Sequence, residues 1–207
     1  MASVYVLCFA LPSSSQDTLG LRIKSDIGFN TTFFLNNIFQ SSSTPFSIMY
    51  KKYKSPYKAY RFGIDANFAT RNGSGTGNYS NITSYNVSVV FGKEKQNRIW
   101  KAWVCYYGLD FVPSVSQFKS ANYTNDQKNQ ETEITSYGLT ARPFLGIRFD
   151  INSRLYISTE ANISLAFSHQ KNLQKSFNPE QTNVDSSSNE GSLNLSPASG
   201  IFVYYRF

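Results

Sequence analysis

The run Leu155-Tyr156-Ile157-Ser158-Thr159-Glu160-Ala161-Asn162-Ile163-Ser164-Leu165-Ala166-Phe167-Ser168 decides the fold. Leu155, Ile157, Ala161, Ile163, Leu165 and Phe167 stand at alternate positions, opposite Ser158, Glu160, Asn162, Ser164 and Ser168. Period two sends successive side chains to opposite faces of a strand, so this run predicts one apolar and one polar face. The segments on either side repeat it. Leu139, Ala141, Leu145, Ile147 and Phe149 oppose Thr140, Arg142, Gly146 and Arg148. At the end of the chain Leu193, Leu195, Pro197, Ile201, Val203, Tyr205 and Phe207 oppose Asn194, Ser196, Ala198, Gly200 and Arg206, with Phe202 and Tyr204 out of pattern.

The same alternation extends upstream. Leu19, Leu21, Ile23, Ile27 and Phe29 form a first strand, with Phe46, Ile48 and Tyr50 on a second. A third carries Tyr60, Phe62, Ile64, Ala66 and Phe68, and a fourth Tyr85, Val87, Val89 and Phe91. Residues 99–113 are aromatic on both faces; Gly108 and Asp110 set the inner parity there, leaving Trp103, Cys105, Tyr107, Leu109 and Phe111 outward. The connections alternate too. Short turns are expected at 54–57, 94–97 and 150–153, and long polar loops at 31–44, 70–84, 114–136 and 169–192. An even strand count with short and long connections in strict turn predicts an all-β fold, an eight-stranded antiparallel up-and-down transmembrane β-barrel. A soluble eight-stranded barrel gives the same count and is the rival.

Composition agrees with strands and narrows the chemistry. Of 207 residues, 41% are hydrophobic, 16% aromatic and only 16% charged, against roughly 25% charged in ordinary soluble proteins. No apolar run is long enough for a membrane-spanning helix. Cys8 and Cys105 exclude a disulfide framework, and a single His weakens zinc and acid–base readings. Residues 1–15, with the apolar stretch Val4 to Leu11, then Pro12 and three serines, read as the remnant of a secretory signal, although a basic n-region is missing. Residues 16–207 are then the barrel domain.

Charge placement separates lipid outside from water outside. The expected polar face carries Arg22, Lys24, Asp26, Arg61, Asp65, Asp110, Arg142, Arg148, Glu160 and Arg206 at mid-strand, beside glycines such as Gly28, Gly63, Gly108 and Gly146. Small residues beside long charged ones suit a narrow filled lumen in which opposite charges pair, because an unpaired buried charge is costly. On a solvated outer face those glycines would only weaken strands. Outward Tyr, Phe and Trp near the strand ends suit a headgroup level.

The final Ile201-Phe202-Val203-Tyr204-Tyr205-Arg206-Phe207, with Val203, Tyr205 and Phe207 outward and an aromatic at the end, resembles the C-terminal assembly signal of bacterial outer-membrane proteins. With the signal-like start, the chain resembles small eight-stranded outer-membrane barrels of the OmpA, OmpX and OmpW type, and its Tyr- and Asn-rich loops are similar to Bacteroidota versions. The resemblance implies residence in the bacterial outer membrane, with outer-membrane lipid and the barrel-assembly machinery as partners.

Enzymatic readings find little. A lipid A deacylase resemblance needs His-x-Ser, but Gln170 and Lys171 follow His169, and Ser168 has the opposite parity. A palmitoyltransferase resemblance needs a first-loop His, and 31–44 has neither His nor Asp. The glycine-rich 72–77 lacks the helix and lysine of a phosphate loop. No cofactor or metal is expected. The net charge of +7 gathers around the short turns, at Lys52, Lys54, Lys58, Lys93, Lys95 and Arg98 among others. That placement fits a periplasmic rim against anionic lipid, and not a nucleic-acid face. The expected role is surface interaction or envelope structure through the long loops, the third above all (Tyr123 among Asn122, Asn125, Asp126 and Asn129), alone or as a subunit of an envelope assembly. A narrow conduit for small or apolar molecules and a soluble lipocalin-like binder are the alternatives.

Overall fold

The computed structural model describes residues 24–31, 46–75, 78–125, 127–177, 183–197 and 200–207. Nine strand segments run along them: β1 (Ser25–Asn30), β2 (Phe46–Ser55), β3 (Lys58–Gly75), β4 (Asn78–Arg98), β5 (Trp103–Thr124), β6 (Gln127–Asp150), β7 (Leu155–Ser176), β8 (Val184–Ser196) and β9 (Ile201–Arg206). Each pairs antiparallel with its neighbours, and β9 pairs with both β7 and β1, so the sheet closes. The segments β8 and β9 both pair with β7 and occupy one strand position between them. The result is a ring of eight strands. The eighth is interrupted between Ser196 and Ile201, where Gly200 takes φ 145°, and the pairing register with β7 shifts across the break.

The outer face is apolar where the sequence placed it. Ile64, Phe91, Phe111, Leu139, Ile147, Ile163, Leu165 and Phe167 are all exposed, while Met49, Val90, Tyr106, Tyr156 and Tyr204 point inward and are buried. From Leu155 to Phe167 the outward row of β7 covers twelve residue steps. At ~3.3 Å per residue and a tilt of ~40° this band is roughly 30 Å tall, comparable with a bilayer hydrocarbon core. Its upper edge holds to within one outward pair from strand to strand, stepping between β4 and β5, where Tyr85 faces Gln117, and between β6 and β7, where Tyr137 faces His169. Phe68 pairs with Tyr85, Val115 with Tyr137, and Leu139 with Phe167, while the next outward residues are Thr70 and Thr83, Gln117 and Thr135, and His169.

Beyond that edge the structure departs from expectation. The stretches 70–84, 114–136 and 169–192, expected as loops, are largely strand: β3–β4, β5–β6 and β7–β8 run on as paired ladders, with Asn125 at φ 51° directly after β5. Residues polar on both faces carry no periodic hydrophobic signal, so a sequence reads them as loop although the ladder continues. The β4–β5 turn is also displaced. β4 runs to Arg98, the turn is 99–102, and Glu94 and Gln96 are strand residues facing the lumen. The segment 1–15 and Arg22 lie outside the described residues.

Candidate functional site

The lower half of the lumen is filled by a two-layered polar plug. Its upper layer centres on Arg61, which is 1% exposed. The guanidinium donates to both oxygens of Glu160 at 2.9 and 3.0 Å, and lies 3.3 Å from Glu94 and 3.4 Å from Asp110. Planar, bidentate geometry suits arginine and not lysine. Lys51 Nζ reaches Glu94 at 2.8 Å and sits 4.5 Å from the centroids of both Tyr106 and Tyr204. Arg142 approaches Asp110 at 3.4 Å, and Tyr106 donates to Glu160 at 3.1 Å.

The layer below gathers on Asp26, which accepts from the hydroxyls of Tyr53 at 2.7 Å and Tyr156 at 2.6 Å and from Arg206 Nε at 3.1 Å. Gln96 joins the layers, donating to Tyr53 at 3.0 Å and to Glu94, and accepting from Arg148 at 3.0 Å. Arg148 in turn pairs with Asp150 at 2.9 Å. Five cations (Lys51, Arg61, Arg142, Arg148, Arg206) meet five carboxylates (Asp26, Glu94, Asp110, Asp150, Glu160), so +5 and −5 cancel. Burial of so many charges is tolerable only because each has an opposite neighbour.

Seven of the ten expected lumen charges therefore meet in one network: Asp26, Arg61, Asp110, Arg142, Arg148, Glu160 and Arg206. Lys24 does not join; it is exposed at the turn end, where its carbonyl accepts from the Tyr53 amide. Asp65 faces the lumen half-buried and forms no ion pair among the described residues. Lys51, Glu94 and Asp150 are the charges that sequence reasoning misses. Lys51 reads as one of the basic turn residues, although the parity of Ile48 and Tyr50 already sends it inward.

Glycines make the room. Across the β1–β9 register Gly28 stands opposite Tyr204, and across β5–β6 Gly146 stands opposite Tyr106. A Cβ at Gly28 would lie 2.2 Å from the Tyr204 ring, and one at Gly146 2.3 Å from the Tyr106 ring. Each plug aromatic thus lies across the bare backbone of the next strand, the pairing by which aromatics cover glycine in curved sheets.

Above the plug the interior opens into a cavity of about 450 Å³ lined by Asn67, Ser84, Asn86, Ser116, Phe118 and Gln170 among others. At the opposite end Lys52, Lys54, Lys58, Lys93 and Lys95 are exposed and outward, as expected. Arg98 differs: its guanidinium is held by Asp150 at 3.4 Å and by the Lys101 carbonyl. Val203, Tyr205 and Phe207 face outward at the closing seam, where the Ser25 amide donates to the Phe207 carbonyl at 3.2 Å. His169 stands at the upper edge of the band, bonded to Asn189 at 2.9 Å.

No protein-family model and no curated protein matches the chain. Among solved structures it is similar to the ferric yersiniabactin uptake receptor FyuA of Yersinia pestis, at 10% identity and TM-score 0.45, over 74% of this chain and 26% of that one. It therefore spans about a quarter of that receptor. A major outer membrane protein of Thermus thermophilus aligns at 11% identity and TM-score 0.44, over 89% and 98% of the two chains. CarO of Acinetobacter baumannii aligns at 12% and 0.35, over 89% and 95%. Likeness at this level leaves any functional reading to the chain's own side chains.

Proposed function

We propose that the chain is a bacterial outer-membrane β-barrel whose plugged lumen conducts no solute and whose three extended hairpins act outside the cell, in surface interaction or as part of an envelope assembly. The observation that carries this is the upper edge of the apolar band, which steps by no more than one outward pair between neighbouring strands and beyond which the same strands continue as polar ladders. An outer face of this kind fits hydrocarbon, since soluble monomers do not expose a contiguous apolar belt of such extent. The neutral plug supports the absence of conduction. A ladder rigid enough to stand off the membrane supports presentation; among its parts β5–β6 extends furthest, with Tyr123 stacked on Tyr79 at 4.4 Å between ring centroids.

The experiment joins two readouts. Full-length protein refolded into lipid vesicles is expected to migrate faster on a gel before boiling than after, and to give no conductance in a planar bilayer. Replacing residues 119–133 by a short turn is expected to keep the mobility shift, because the ladder outside the band is not needed to close the ring. Steady channels, or protein that purifies from the periplasm without detergent, would refute the reading.

A further inference from the structure

We propose that Lys52, Lys54, Lys58, Lys93 and Lys95 form a one-sided seat for phosphodiester lipid headgroups on β2–β4 at the turn end of the barrel; this rests on the membrane reading above. Lys52, Tyr60 and Lys93 stand in register on three adjacent strands, all outward. One row nearer the turn, Lys58 pairs directly with Lys95. Like charges directly opposite on a sheet destabilise it unless a counter-charge lies between them. Within the described residues no carboxylate supplies that counter-charge: none of the five lysines forms an ion pair there. Glu94 lies between Lys93 and Lys95 in sequence but faces the lumen, where Lys51 and Arg61 neutralise it.

The seat is fixed in depth and in direction. Directly above it in register Tyr50, Phe62 and Phe91 form an outward aromatic ladder, with centroids 6.4 and 6.2 Å apart. The lysines therefore begin where the apolar band stops, and their stems can lie along it while the ammonium groups reach headgroup oxygens. Strands spaced ~4.8 Å apart put the Lys52 and Lys93 backbones ~10 Å from each other, with the Tyr60 hydroxyl between as a further donor. Across the ring the rim is different: Asp150 holds Arg148 and Arg98, and Asn152 caps its own turn at the amides of Arg154 and Leu155. A positive field on one arc recruits anionic lipid to that arc, each lysine contributing on the order of 1 kcal/mol.

Both tryptophans of the chain, Trp100 and Trp103, stand on or beside the adjoining β4–β5 turn and report on that leaflet. The test is quenching of their fluorescence in vesicles by brominated phosphatidylglycerol against brominated phosphatidylcholine. Wild type is expected to prefer the anionic lipid, and the preference to fall about fivefold for each lysine removed in Lys58→Gln, Lys93→Gln and Lys95→Gln. Arg154→Gln, on the far arc, is expected to leave it unchanged. Equal quenching by both lipids in wild type, an undiminished preference in the triple variant, an equal loss in Arg154→Gln, or displacement by inorganic phosphate would overturn the seat. An unboiled gel confirms folding of each variant. A wild type that fails to fold into vesicles at all would instead count against the membrane reading.

Discussion

Arg61 is the point at which the plug is best tested. Its guanidinium serves three carboxylates, those of Glu160, Glu94 and Asp110, at 1% exposure. Arg61→Met removes one positive charge and leaves +4 facing −5 in the same enclosed volume. Lys51 stays with Glu94 and Arg142 with Asp110, so the burden falls on Glu160, which loses its bidentate partner. Removing one side of a buried pair costs about 3–5 kcal/mol, because the carboxylate left behind stays out of water. Glu160→Gln leaves Arg61 with Glu94 and Asp110, and a lost charged hydrogen bond of this kind costs about 1.5–3 kcal/mol. The double variant returns the count to +4 and −4, so its cost is expected to fall short of the sum by at least ~1.5 kcal/mol. The measurement is urea unfolding from lipid vesicles, followed by tryptophan fluorescence and by gel mobility without boiling. Single-variant costs below about 1 kcal/mol that simply add in the double variant would refute the reasoning: the lumen would then be wet and screened.

Three further substitutions test the outer face and the cross-strand fit. Ile163→Arg, near the middle of the apolar row on β7, is expected to cost about 2–4 kcal/mol, whereas Thr135→Arg, beyond the upper edge of the band, should stay within about 0.5 kcal/mol; equal costs in vesicle unfolding would deny that hydrocarbon meets the band. Gly28→Ala forces its methyl onto the Tyr204 ring at 2.2 Å. A penalty of about 1–3 kcal/mol is expected in the same assay, and a neutral result would place the ring elsewhere.

The alternation along Leu155–Phe167 was enough to put apolar side chains outside and charges inside, because a strand's parity survives whatever its neighbours do. Six lumen charges followed from the parity of their own strands, whereas Asp110 itself set the parity of a strand with rings on both faces. The rest depends on register and on competing signals. That Tyr106 covers Gly146, or Tyr204 covers Gly28, is a cross-strand relation with no trace in either strand separately. Lys51 and Glu94 were hidden by Lys52 and Lys95 beside them, since charges in consecutive positions near a turn read as a solvated cluster even when every second one faces inward. The polar ladders beyond the band were read as loops for a related reason: without one buried face, nothing in the order of Asn, Ser, Thr and Gln distinguishes strand from coil.

The salt bridge between Asp26 and Arg206 joins partners 180 residues apart. A chain delivered from its N-terminus carries the acid long before it carries the base, and the tyrosines at 53 and 156 arrive in between. Electroneutrality of the interior is thus completed only by β9. Loss of β9 deprives the ring of its seam and Asp26 of its cation in one stroke, so a product cut before it lacks at once the two features on which closure depends.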